Sequence, residues 1–521
     1  MTHAGRAYGG SLVFAASQIT VDALFRARVR RHPQRVALQT GSRRLSYGAL
    51  DDRIDRLACV LAGEGLQRGD RVAILSENCL EYVELQLAAA RLGLIVACQN
   101  WRLAAPELAH CLALVEPKLT FVSERHAGAL AKLDCDAGGV IVFGEDYEAR
   151  LARAAGPAPR ATPVPEDGLV ILYTSGTTGL PKGAVISQRA LVARAQIGLI
   201  DRRLDPEATF IAWAPMFHMV STDNALATLM TGGKVIVIDG FDPAAIAAAL
   251  PEEEIGWLQV MPGTVEQIIA EIKRLDRRPK RVDSVGCMAD LVAPQLIAEL
   301  TELVGAPYIN SFGSTETGSP PASAGQIPIG VTPKSLSKRQ NSFCDIRLVD
   351  PDDNDVPDGE AGELAFRGPT LFSGYWRVPE ERDFQGGWFH MGDVFRRNGD
   401  GTLDFVDRRK YLIKSGGENI YPAEIERLLI ASPRIQEAVV VRHADPHWGE
   451  VPVAFVVRND ASLCAEDVIG LCRGQVANYK LPKAVRFLAE ADLPRSTTGK
   501  VKRHELEALL EQEKRAAEHD G

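Results

Sequence analysis

The sequence predicts an α/β protein with a large N-terminal domain of two βαβ-type sheets plus a small β-rich subdomain, followed by a small α+β C-terminal domain. A chain of 521 residues is too long for one hydrophobic core, so at least two domains are expected. Strand-like and helix-like segments alternate through the N-terminal part, a pattern typical of open, mostly parallel sheets covered by helices. From about Gly362, short strands with glycine-rich turns replace this alternation.

The two predicted sheets each rest on a series of apolar strand-like runs separated by helical patterns. The first series has strands at Arg71–Leu75, Leu94–Cys98, Leu119–Val122 and Val140–Phe143, with helices at Glu81–Leu92 and Pro106–Val115. The second has strands at Phe210–Trp213, Lys234–Ile238, Trp257–Val260, Val282–Gly286 and Tyr308–Asn310, with helices at Pro243–Leu250, Thr264–Leu275 and Pro294–Val304. Ligands of such sheets bind outside the carboxyl ends of the strands, which is where we expect the functional site.

The C-terminal part has its own mixture of elements. We place a boundary at Arg408–Lys410, which gives an N-terminal domain of residues 1–407 and a C-terminal domain of residues 411–521. The elements predicted after this boundary are a helix, two strands and a second helix: Ala423–Ile430, Ala438–His443, Val453–Val457 and Glu466–Val476.

Composition excludes several classes of function. The net charge is −9 and no block of five or six like charges occurs, which argues against nucleic-acid binding. Nine scattered cysteines without a Cys-x-x-Cys pair indicate reduced thiols in the cytoplasm rather than a disulfide scaffold or a zinc site. No apolar run approaches the length of a membrane span, and the N-terminus is too poor in apolar residues for a signal peptide. The sequence does not decide between a monomer and a homodimer.

The segment 173–183 reads Tyr-Thr-Ser-Gly-Thr-Thr-Gly-Leu-Pro-Lys-Gly. It follows an apolar run, Gly168 to Leu172, so we expect it to leave the end of a strand as a loop. Glycines allow the backbone to turn its N–H groups toward an anion, and hydroxyls and a lysine add donors suited to a polyphosphate. The spacing is not that of a Walker loop, because Pro181 stands five residues after Gly176. The candidate phosphate-binding residues are Thr174, Ser175, Gly176, Thr177, Thr178, Gly179 and Lys182.

This segment resembles the phosphate loop of the adenylate-forming superfamily, which includes acyl-CoA synthetases, peptide-synthetase adenylation domains and firefly luciferase. Four further segments match motifs of that family in the family's order. They are Phe312-Gly313-Ser314-Thr315-Glu316, Trp388-Phe389-His390-Met391-Gly392-Asp393, the stretch 407–422 with Asp407-Arg408-Arg409-Lys410 and Ser415-Gly416-Gly417-Glu418-Asn419, and Leu493-Pro494-Arg495-Ser496-Thr497-Thr498-Gly499-Lys500-Val501.

The resemblance implies an enzyme that uses ATP to turn a carboxylate into an acyl-adenylate, releasing pyrophosphate. Negative charge gathers where the carboxylate attacks, so the site needs fixed cations and donors. Lys182 and the hydroxyl loop, with Thr178 among its catalytic members, would hold the β- and γ-phosphates. Glu316 would bind Mg²⁺, which prefers oxygen ligands. Lys500 would reach the carboxylate and the α-phosphate. Read singly, Glu316 could instead be a first-turn helix acid and Lys500 a solvated surface charge.

The resemblance also implies which residues bind the nucleoside part of ATP. Phe312 would offer an aromatic face to adenine and Asn310 an amide to its edge, with Gly313 and Thr315 beside them. Asp393 and Arg408 would hold the ribose hydroxyls. The alternative for Phe312 is an ordinary core aromatic.

His218 matches the family's histidine beside the acyl and phosphate sites, where we predict a neutral donor or gate. The alternative is a packed side chain without a catalytic role. The predicted acyl pocket suits a medium or bulky, largely apolar acid, although Asp223 could face a polar group of that acid or cap a helix. The pocket residues are Met219, Val220, Asp223, Trp257, Val260 and Met288.

The second half-reaction would need a different arrangement of a mobile C-terminal domain, by analogy with the family. Lys410 stands at the family's hinge position, within residues 408–410. Gly416 and Gly417 would line a tunnel for the pantetheine arm of coenzyme A, where missing side chains permit close approach, and Lys414 would assist thioester formation. The run Ser415–Asn419 favours CoA over a carrier protein.

Two segments depart from the family pattern. Cys287-Met288-Ala289-Asp290-Leu291 replaces Gly-Gly-Ala-Pro-Leu, and in Ser335–Phe343 only Arg339 survives of a Gly-x-x-Gly-Arg-Pro pattern. These departures leave open which acid is used and whether both half-reactions are efficient.

Three hypotheses follow. The favoured one is an ATP-dependent acyl-CoA ligase. The second is an adenylating enzyme that loads a carrier protein or performs mainly one half-reaction. The third is a nucleotide-binding module without catalysis, which the presence of both Lys182 and Lys500 disfavours.

Overall fold

The computed structural model describes residues 11–154, 159, 161–175, 180–379, 383–416, 418–495 and 501–519. Its α-helices are α1 (Ser11–Ser17), α2 (Val21–Arg31), α3 (Tyr47–Gly63), α4 (Leu80–Leu92), α5 (Ala105–Val115), α6 (Glu124–Leu130), α7 (Glu145–Arg153), α8 (Gln188–Arg202), α9 (Met219–Thr231), α10 (Pro243–Ala249), α11 (Val265–Leu275), α12 (Pro294–Val304), α13 (Pro422–Ile430), α14 (Ala465–Cys472) and α15 (Arg503–His519). No helix in these ranges combines the length and apolar character needed to cross a bilayer.

The strands fall into an N-terminal and a C-terminal series. The first series is β1 (Val36–Thr40), β2 (Arg43–Ser46), β3 (Arg71–Leu75), β4 (Ile95–Cys98), β5 (Leu119–Val122), β6 (Gly139–Val142), β7 (Gly168–Ser175), β8 (Pro181–Ser187), β9 (Thr209–Ala212), β10 (Lys234–Val237), β11 (Glu254–Gln259), β12 (Arg281–Cys287), β13 (Tyr308–Asn310), β14 (Gly313–Ser314), β15 (Gly318–Pro321) and β16 (Gln326–Ile327). The second is β17 (Asp345–Val349), β18 (Ala361–Arg367), β19 (Phe384–Gln385), β20 (Trp388–Arg397), β21 (Leu403–Arg408), β22 (Ile413–Ser415), β23 (Glu418–Ile420), β24 (Ile435–Asp445), β25 (Gly449–Arg458) and β26 (Ala484–Phe487).

The chain forms two compact units. The first comprises Met1–Asp345 and Arg367–Arg382, and the second comprises Ile346–Phe366 and Asp383–Gly521. By compactness, the predicted β-rich subdomain therefore groups with the C-terminal segment. The hinge at residues 408–410 remains a prediction.

The first unit contains an eight-stranded sheet in the order β16-β13-β12-β11-β9-β10-β1-β2. Its inner strands are parallel, and β2 and β16 close its edges in antiparallel fashion. Helix α11 shows why helices cover this sheet, because Val265, Ile268, Ile269 and Ile272 recur at helical spacing and are all buried. The predicted α/β class is confirmed.

The second sheet of this unit has the order β6-β5-β3-β4-β7-β8. Strands β3 to β7 pair in parallel, whereas β7 and β8 form an antiparallel hairpin in which Thr174 lies opposite Lys182. The expectation that the strand ends before Tyr173 is wrong, because the ladder continues to Ser175. Pairing with the apolar run 181–187 supplies the partners that extend it. Residues 176–179 lie outside the described ranges.

The second unit contains two five-stranded sheets. One has the order β17-β18-β20-β19, with β21 also on β20, and the other has the order β23-β22-β25-β24, with β26 also on β25. Helices α13 and α14 pack on the latter sheet around a core that includes Ile425, Leu429, Val440 and Val456.

Candidate active site

Lys182 lies on β8 next to an aromatic ring that sequence reasoning missed. Its ammonium is 4.5 Å from the ring centroid of Tyr375. The segment 373–376 runs beside β8, since the Trp376 N–H donates to the Gly183 carbonyl at 2.7 Å and the Ser373 N–H to that of Val185 at 2.8 Å. This backbone pairing fixes Tyr375 over the lysine.

Glu316 meets the same tyrosine. It lies in the turn between β14 and β15, is 9% exposed, and its Oε1 accepts a hydrogen bond from the Tyr375 hydroxyl at 2.6 Å. Tyr375 therefore contacts both the predicted phosphate-binding lysine and the predicted magnesium-binding acid. No motif in the sequence marks a lone Tyr-Trp pair at 375–376, so this link could be found only in the fold.

The residues at Glu316 fit a magnesium ion. A carboxylate accepts at two oxygens with several lone pairs, and one hydrogen bond from Tyr375 leaves acceptor capacity for a cation. Mg²⁺ is bound in proteins by one or two carboxylates, retained waters and substrate phosphates. Glu316 matches that pattern, with Lys182 beside it for the phosphates.

The hairpin β14–β15 that carries Glu316 depends on Gly313. A Cβ at this position would lie 1.9 Å from the Gly318 carbonyl oxygen and 2.8 Å from that of Ser319. Because both neighbours are backbone atoms, the hairpin cannot give way without moving the turn. Gly313 is therefore required by a close approach of two chain segments.

We expect Gly313→Ala to lower the free energy of unfolding by about 1–3 kcal/mol, the usual cost of overpacking, and to displace Glu316. Adenylation should fall more than the folded fraction does, which can be measured by comparing thermal unfolding with acid-dependent ATP–pyrophosphate exchange. Gly198→Ala on α8 is the matched control, because a Cβ there meets nothing within 4 Å. Equal behaviour of the two variants would contradict the close-approach argument.

Arg194 on α8 anchors the same turn from inside the protein. It is buried, and its Nη2 donates to the carbonyls of Thr315 at 3.0 Å and Glu316 at 3.1 Å. Its Nε donates to the Thr370 carbonyl at 3.0 Å, and its Nη1 to Asp223 Oδ2 at 2.9 Å. Arg194 was not recognised in the sequence, because a lone arginine in a buried helix carries no signal.

Asp223 thus has a role that neither sequence hypothesis gave it. It lies in the second turn of α9, whose N-cap is His218, so the capping alternative is wrong. Its carboxylate pairs with Arg194, and burial raises the pKa of Asp223 above its ordinary value while Arg194 opposes the rise. The pair holds the backbone under Glu316 in place.

Asn310 and Phe312 lie at the carboxyl end of β13, as predicted, but the amide of Asn310 is engaged within the protein. Its Oδ1 accepts from the Ala289 N–H at 3.0 Å and from Lys338 Nζ at 3.2 Å, and its Nδ2 donates to the Leu336 carbonyl at 2.6 Å. Phe312 is buried, with 7% exposed. Their contact with adenine remains a prediction.

The two segments that depart from the family pattern contact each other. Lys338 from the second departure is completely buried and forms an ion pair with Asp290 from the first. Both segments also contact Asn310, one through Lys338 Nζ and the other through the Ala289 N–H. Each residue of a buried ion pair depends on the other, because either charge alone is costly in an apolar interior. The two departing segments are therefore joined by a buried ion pair.

The predicted acyl-pocket residues lie on three elements of the first unit. His218 is the N-cap residue of α9, and its ring centroid lies 4.8 Å from that of Phe217, with the two ring planes tilted by 55°. Met219 and Val220 follow in the first turn and are half-buried, as is Met288 before the 3₁₀ turn Ala289–Leu291. Trp257 and Val260 are buried on and just after β11, and Val260 belongs to the hydrophobic core.

The predicted ribose ligands are neighbours in the second unit. Asp393 on β20 lies opposite Arg408 on β21, with Arg408 Nε 3.0 Å from Asp393 Oδ1. Lys410 is exposed in the 3₁₀ turn Arg409–Tyr411. Before it, Asp407 accepts from the N–H groups of Arg408 at 2.6 Å and Ala423 at 2.8 Å, and burial raises the pKa of this carboxyl to about 6.

The glycine-rich turn after β22 lies against a tryptophan that the sequence did not indicate. Gly416 has φ +58°, and a Cβ there would lie 2.7 Å from the ring of Trp448, which is itself 47% exposed. Lys414 is exposed on β22, where its N–H donates to Glu450. Several predicted site residues lie outside the described ranges: Gly176, Thr177, Thr178, Gly179, Gly417 and Lys500. The side chain of Ser175 is likewise not described.

Family comparison assigns the chain. Residues 25–376 match the AMP-binding enzyme family, and residues 424–500 match the AMP-binding enzyme C-terminal domain. The chain belongs to the AMP-binding enzyme family. The predicted membership of the adenylate-forming superfamily is confirmed.

Relatives of this AMP-binding enzyme align over nearly its whole length. Indoleacetate–CoA ligase of Aromatoleum aromaticum is 35% identical over 92% of this chain and 96% of its own length. Feruloyl-CoA synthase of Amycolatopsis is 33% identical over the same shares. The structure of ATP-bound MatB from Rhodopseudomonas palustris superposes with a TM-score of 0.78 at 26% identity, covering 94% of this chain and 99% of that one. These relatives confirm the predicted reaction class, ATP-dependent acyl-CoA ligation, and leave the acid unspecified.

Proposed function

We propose that this AMP-binding enzyme activates a medium or bulky, largely apolar carboxylic acid as an acyl-adenylate and transfers the acyl group to CoA. The observation that carries the proposal is the contact of Tyr375 with both Lys182 and Glu316. It holds a cation and a carboxylate side by side at the hairpin that bears the hydroxyl loop. This combination suits a phosphate chain and its metal ion.

In the first half-reaction, a carboxylate oxygen of the acid attacks the α-phosphorus of ATP, and the bond to pyrophosphate breaks. Lys182 and the hydroxyls of Thr174 and Thr178 would bind the departing phosphates, while Lys500 would stabilise charge at the reacting oxygens. Glu316 would hold Mg²⁺, which when bound neutralises phosphate charge and orients the chain. Arg194 and Gly313 keep the Glu316 turn in place.

For the nucleoside, Asp393 and Arg408 would bind the ribose hydroxyls and Phe312 would lie against adenine. The pairing of Asp393 with Arg408 across β20 and β21 supports a joint role, since the arginine donates and the carboxylate accepts.

In the second half-reaction, the CoA sulfur attacks the acyl carbon and the bond to AMP breaks. The predicted rotation of the C-terminal domain about Lys410 would bring Lys414 and Gly416 to the reacting groups. Trp448, which is 47% exposed and lies against Gly416, supports a path for the pantetheine arm, because its exposed aromatic face is a surface on which a thin chain can pack.

The acid is proposed to be largely apolar from the side chains assigned to its pocket. Met219, Val220, Trp257 and Met288 are apolar, and half-buried or buried. Two relatives are named for indoleacetate and for the feruloyl group, and both of these acids contain bulky rings, which agrees with this proposal.

We also propose that the enzyme works in the cytoplasm. Cys98, Cys111 and Cys287 are buried thiols, and burial raises the pKa of each to about 12, which is compatible with a reducing compartment. A homodimer remains a prediction.

The test is incubation of the purified protein with a panel of aryl, arylalkyl and aliphatic acids, ATP, Mg²⁺ and CoA, with AMP and acyl-CoA assayed by mass. Acid-dependent formation of both products supports the proposal. Acyl-adenylate without acyl-CoA would favour the alternative, an enzyme that loads a carrier protein or performs one half-reaction. Absence of AMP with every acid would refute the proposal.

Tyr375→Phe should lower adenylation about tenfold, the scale of one lost hydrogen bond to a charged group. The ring stays near Lys182, so the loss reports the hydroxyl that contacts Glu316. We expect a higher Mg²⁺ concentration for half-maximal rate, measured by pyrophosphate exchange. Tyr479→Phe, at a partly exposed ring in the second unit, is the control and should change nothing. An unchanged magnesium dependence in Tyr375→Phe would contradict the assignment.

A further inference from the structure

Arg202 at the end of α8 is a buried guanidinium with neutral partners. It is 5% exposed. Its Nη1 donates to Asn224 Oδ1 at 3.2 Å, its Nη2 donates to Ser319 Oγ, and its guanidinium carbon lies 4.3 Å from the ring centroid of Trp257. Of five N–H donors, two are used in this way within the described residues.

The nearby carboxylates of Asp201 and Asp223 act on Arg202 electrostatically but form their hydrogen bonds with other residues. Asp201 accepts from the side chains of Asn341 and Ser342, and Asp223 pairs with Arg194. Among the residues that the structure describes, none forms an ion pair with Arg202. Burial lowers the pKa of Arg202 to about 10, so the group still carries its charge at neutral pH. Asp201 and Asp223 offset part of this charge through space, but neither is paired with Arg202. A buried charge without a directly bonded counterion is costly, and such costs are concentrated at functional sites.

The neighbours of Arg202 place it at the predicted acyl pocket. Trp257 is itself a predicted pocket residue. Asn224 lies on α9 and donates to the carbonyl of Val220, another predicted pocket residue, at 2.7 Å. Ser319 stands on β15, three residues after Glu316 in the hairpin that carries it. The guanidinium is thus bordered by α9, β11 and β15, the elements that also carry pocket and metal residues.

We propose that Arg202 binds an oxygen acceptor at the far end of the acyl substrate, and that the enzyme's acids combine an apolar body with a second carboxylate. The inference rests on the proposed function and narrows its substrate class. A carboxylate matches the unused, fork-shaped donors of a guanidinium better than any neutral group. It would also supply a directly bonded anion, which Arg202 lacks among the described residues.

The test compares four 3-arylpropanoic acids that differ only at the para position, which carries hydrogen, methyl, hydroxyl or carboxylate. We measure kcat/KM for acid-dependent AMP release with CoA present. Wild type should prefer the para-carboxylate over the para-methyl acid. In Arg202→Met the value for the para-carboxylate acid should fall by about 30- to 5,000-fold, the range for removing one partner of a buried charge pair. The order of the two acids should therefore reverse. Arg278→Met, at an exposed arginine of the same unit, should retain the wild-type order.

A uniform loss with all four acids in Arg202→Met would overturn the inference, since it would show a structural role only. A wild-type enzyme that prefers the para-methyl acid, with a ratio unchanged in the variant, would overturn it as well. If Arg202→Met does not fold, Arg202→Lys decides. A lysine keeps the charge without the fork, so the preference should shrink, and an unchanged preference overturns the inference. If wild type releases no AMP with any of the four acids, both the proposed function and this inference are refuted. If wild type releases AMP at the same rate whatever the para group, only the inference is refuted.

Discussion

Lys500→Ala should slow formation of the acyl-adenylate by about 10²- to 10³-fold, because it removes a preorganised cation from the oxygens where charge develops. Thioester formation from a supplied acyl-adenylate should change little, since the predicted rotation of the C-terminal domain would move this lysine away before the thiol attacks. Acid-dependent ATP–pyrophosphate exchange measures the first step, and acyl-CoA formed from synthetic adenylate measures the second.

The neighbouring Lys502 provides the control for this experiment. Its ammonium pairs with Glu505 on α15, so Lys502→Ala removes a charge of the same sign at nearly the same place in the chain. We expect both half-reactions to survive in Lys502→Ala. Equal losses of the two half-reactions in Lys500→Ala would contradict the proposed alternation of domains.

Lys338→Met should lower the free energy of unfolding by about 3–5 kcal/mol, the cost of leaving one member of a buried ion pair without its partner. Asp290 would then stay in the interior as an unpaired carboxylate, and Asn310 would lose a donor to its Oδ1. Urea denaturation followed by tryptophan fluorescence would measure the loss.

The double variant Asp290→Asn/Lys338→Met separates the pair from its individual members. Because no buried charge remains in it, most of the lost stability should return. If the single and double variants are equally unstable, the ion pair does not explain the result. A single variant as stable as wild type would show that the pair contributes nothing.

The sequence predicted most strands of the two large sheets, because parallel strands buried on both faces read as continuous apolar runs. Arg71–Leu75, Leu119–Val122 and Tyr308–Asn310 have the predicted bounds. Helices α8 and α9 were missed. Both are buried on several faces and include polar residues, such as Arg194 in α8 and Thr222 in α9, so no clear helical periodicity marks them.

The candidate site was predicted only where its residues lie in local motifs. Lys182, Glu316 and Asp393 could be chosen from short patterns. Tyr375 and Lys338 could not, since each acts on a residue far away in the chain and only the fold brings the two together. Asp290 shows the limit of comparing short motifs. It departs from the family pattern, yet its charge is paired with that of Lys338, which lies in the other departing segment.

The carboxyl of Asp407 accepts hydrogen bonds from residues on both sides of the predicted hinge at Lys410. It accepts from the N–H of Arg408 before Lys410 and from the N–H of Ala423 after it, so a backbone rotation at Lys410 that separates these segments must first release the second bond. The pKa of this carboxyl, raised by burial to about 6, means that mild acid replaces a charge-assisted bond with a weaker neutral one. Below about pH 6, the segments on the two sides of Lys410 should therefore be held together less strongly.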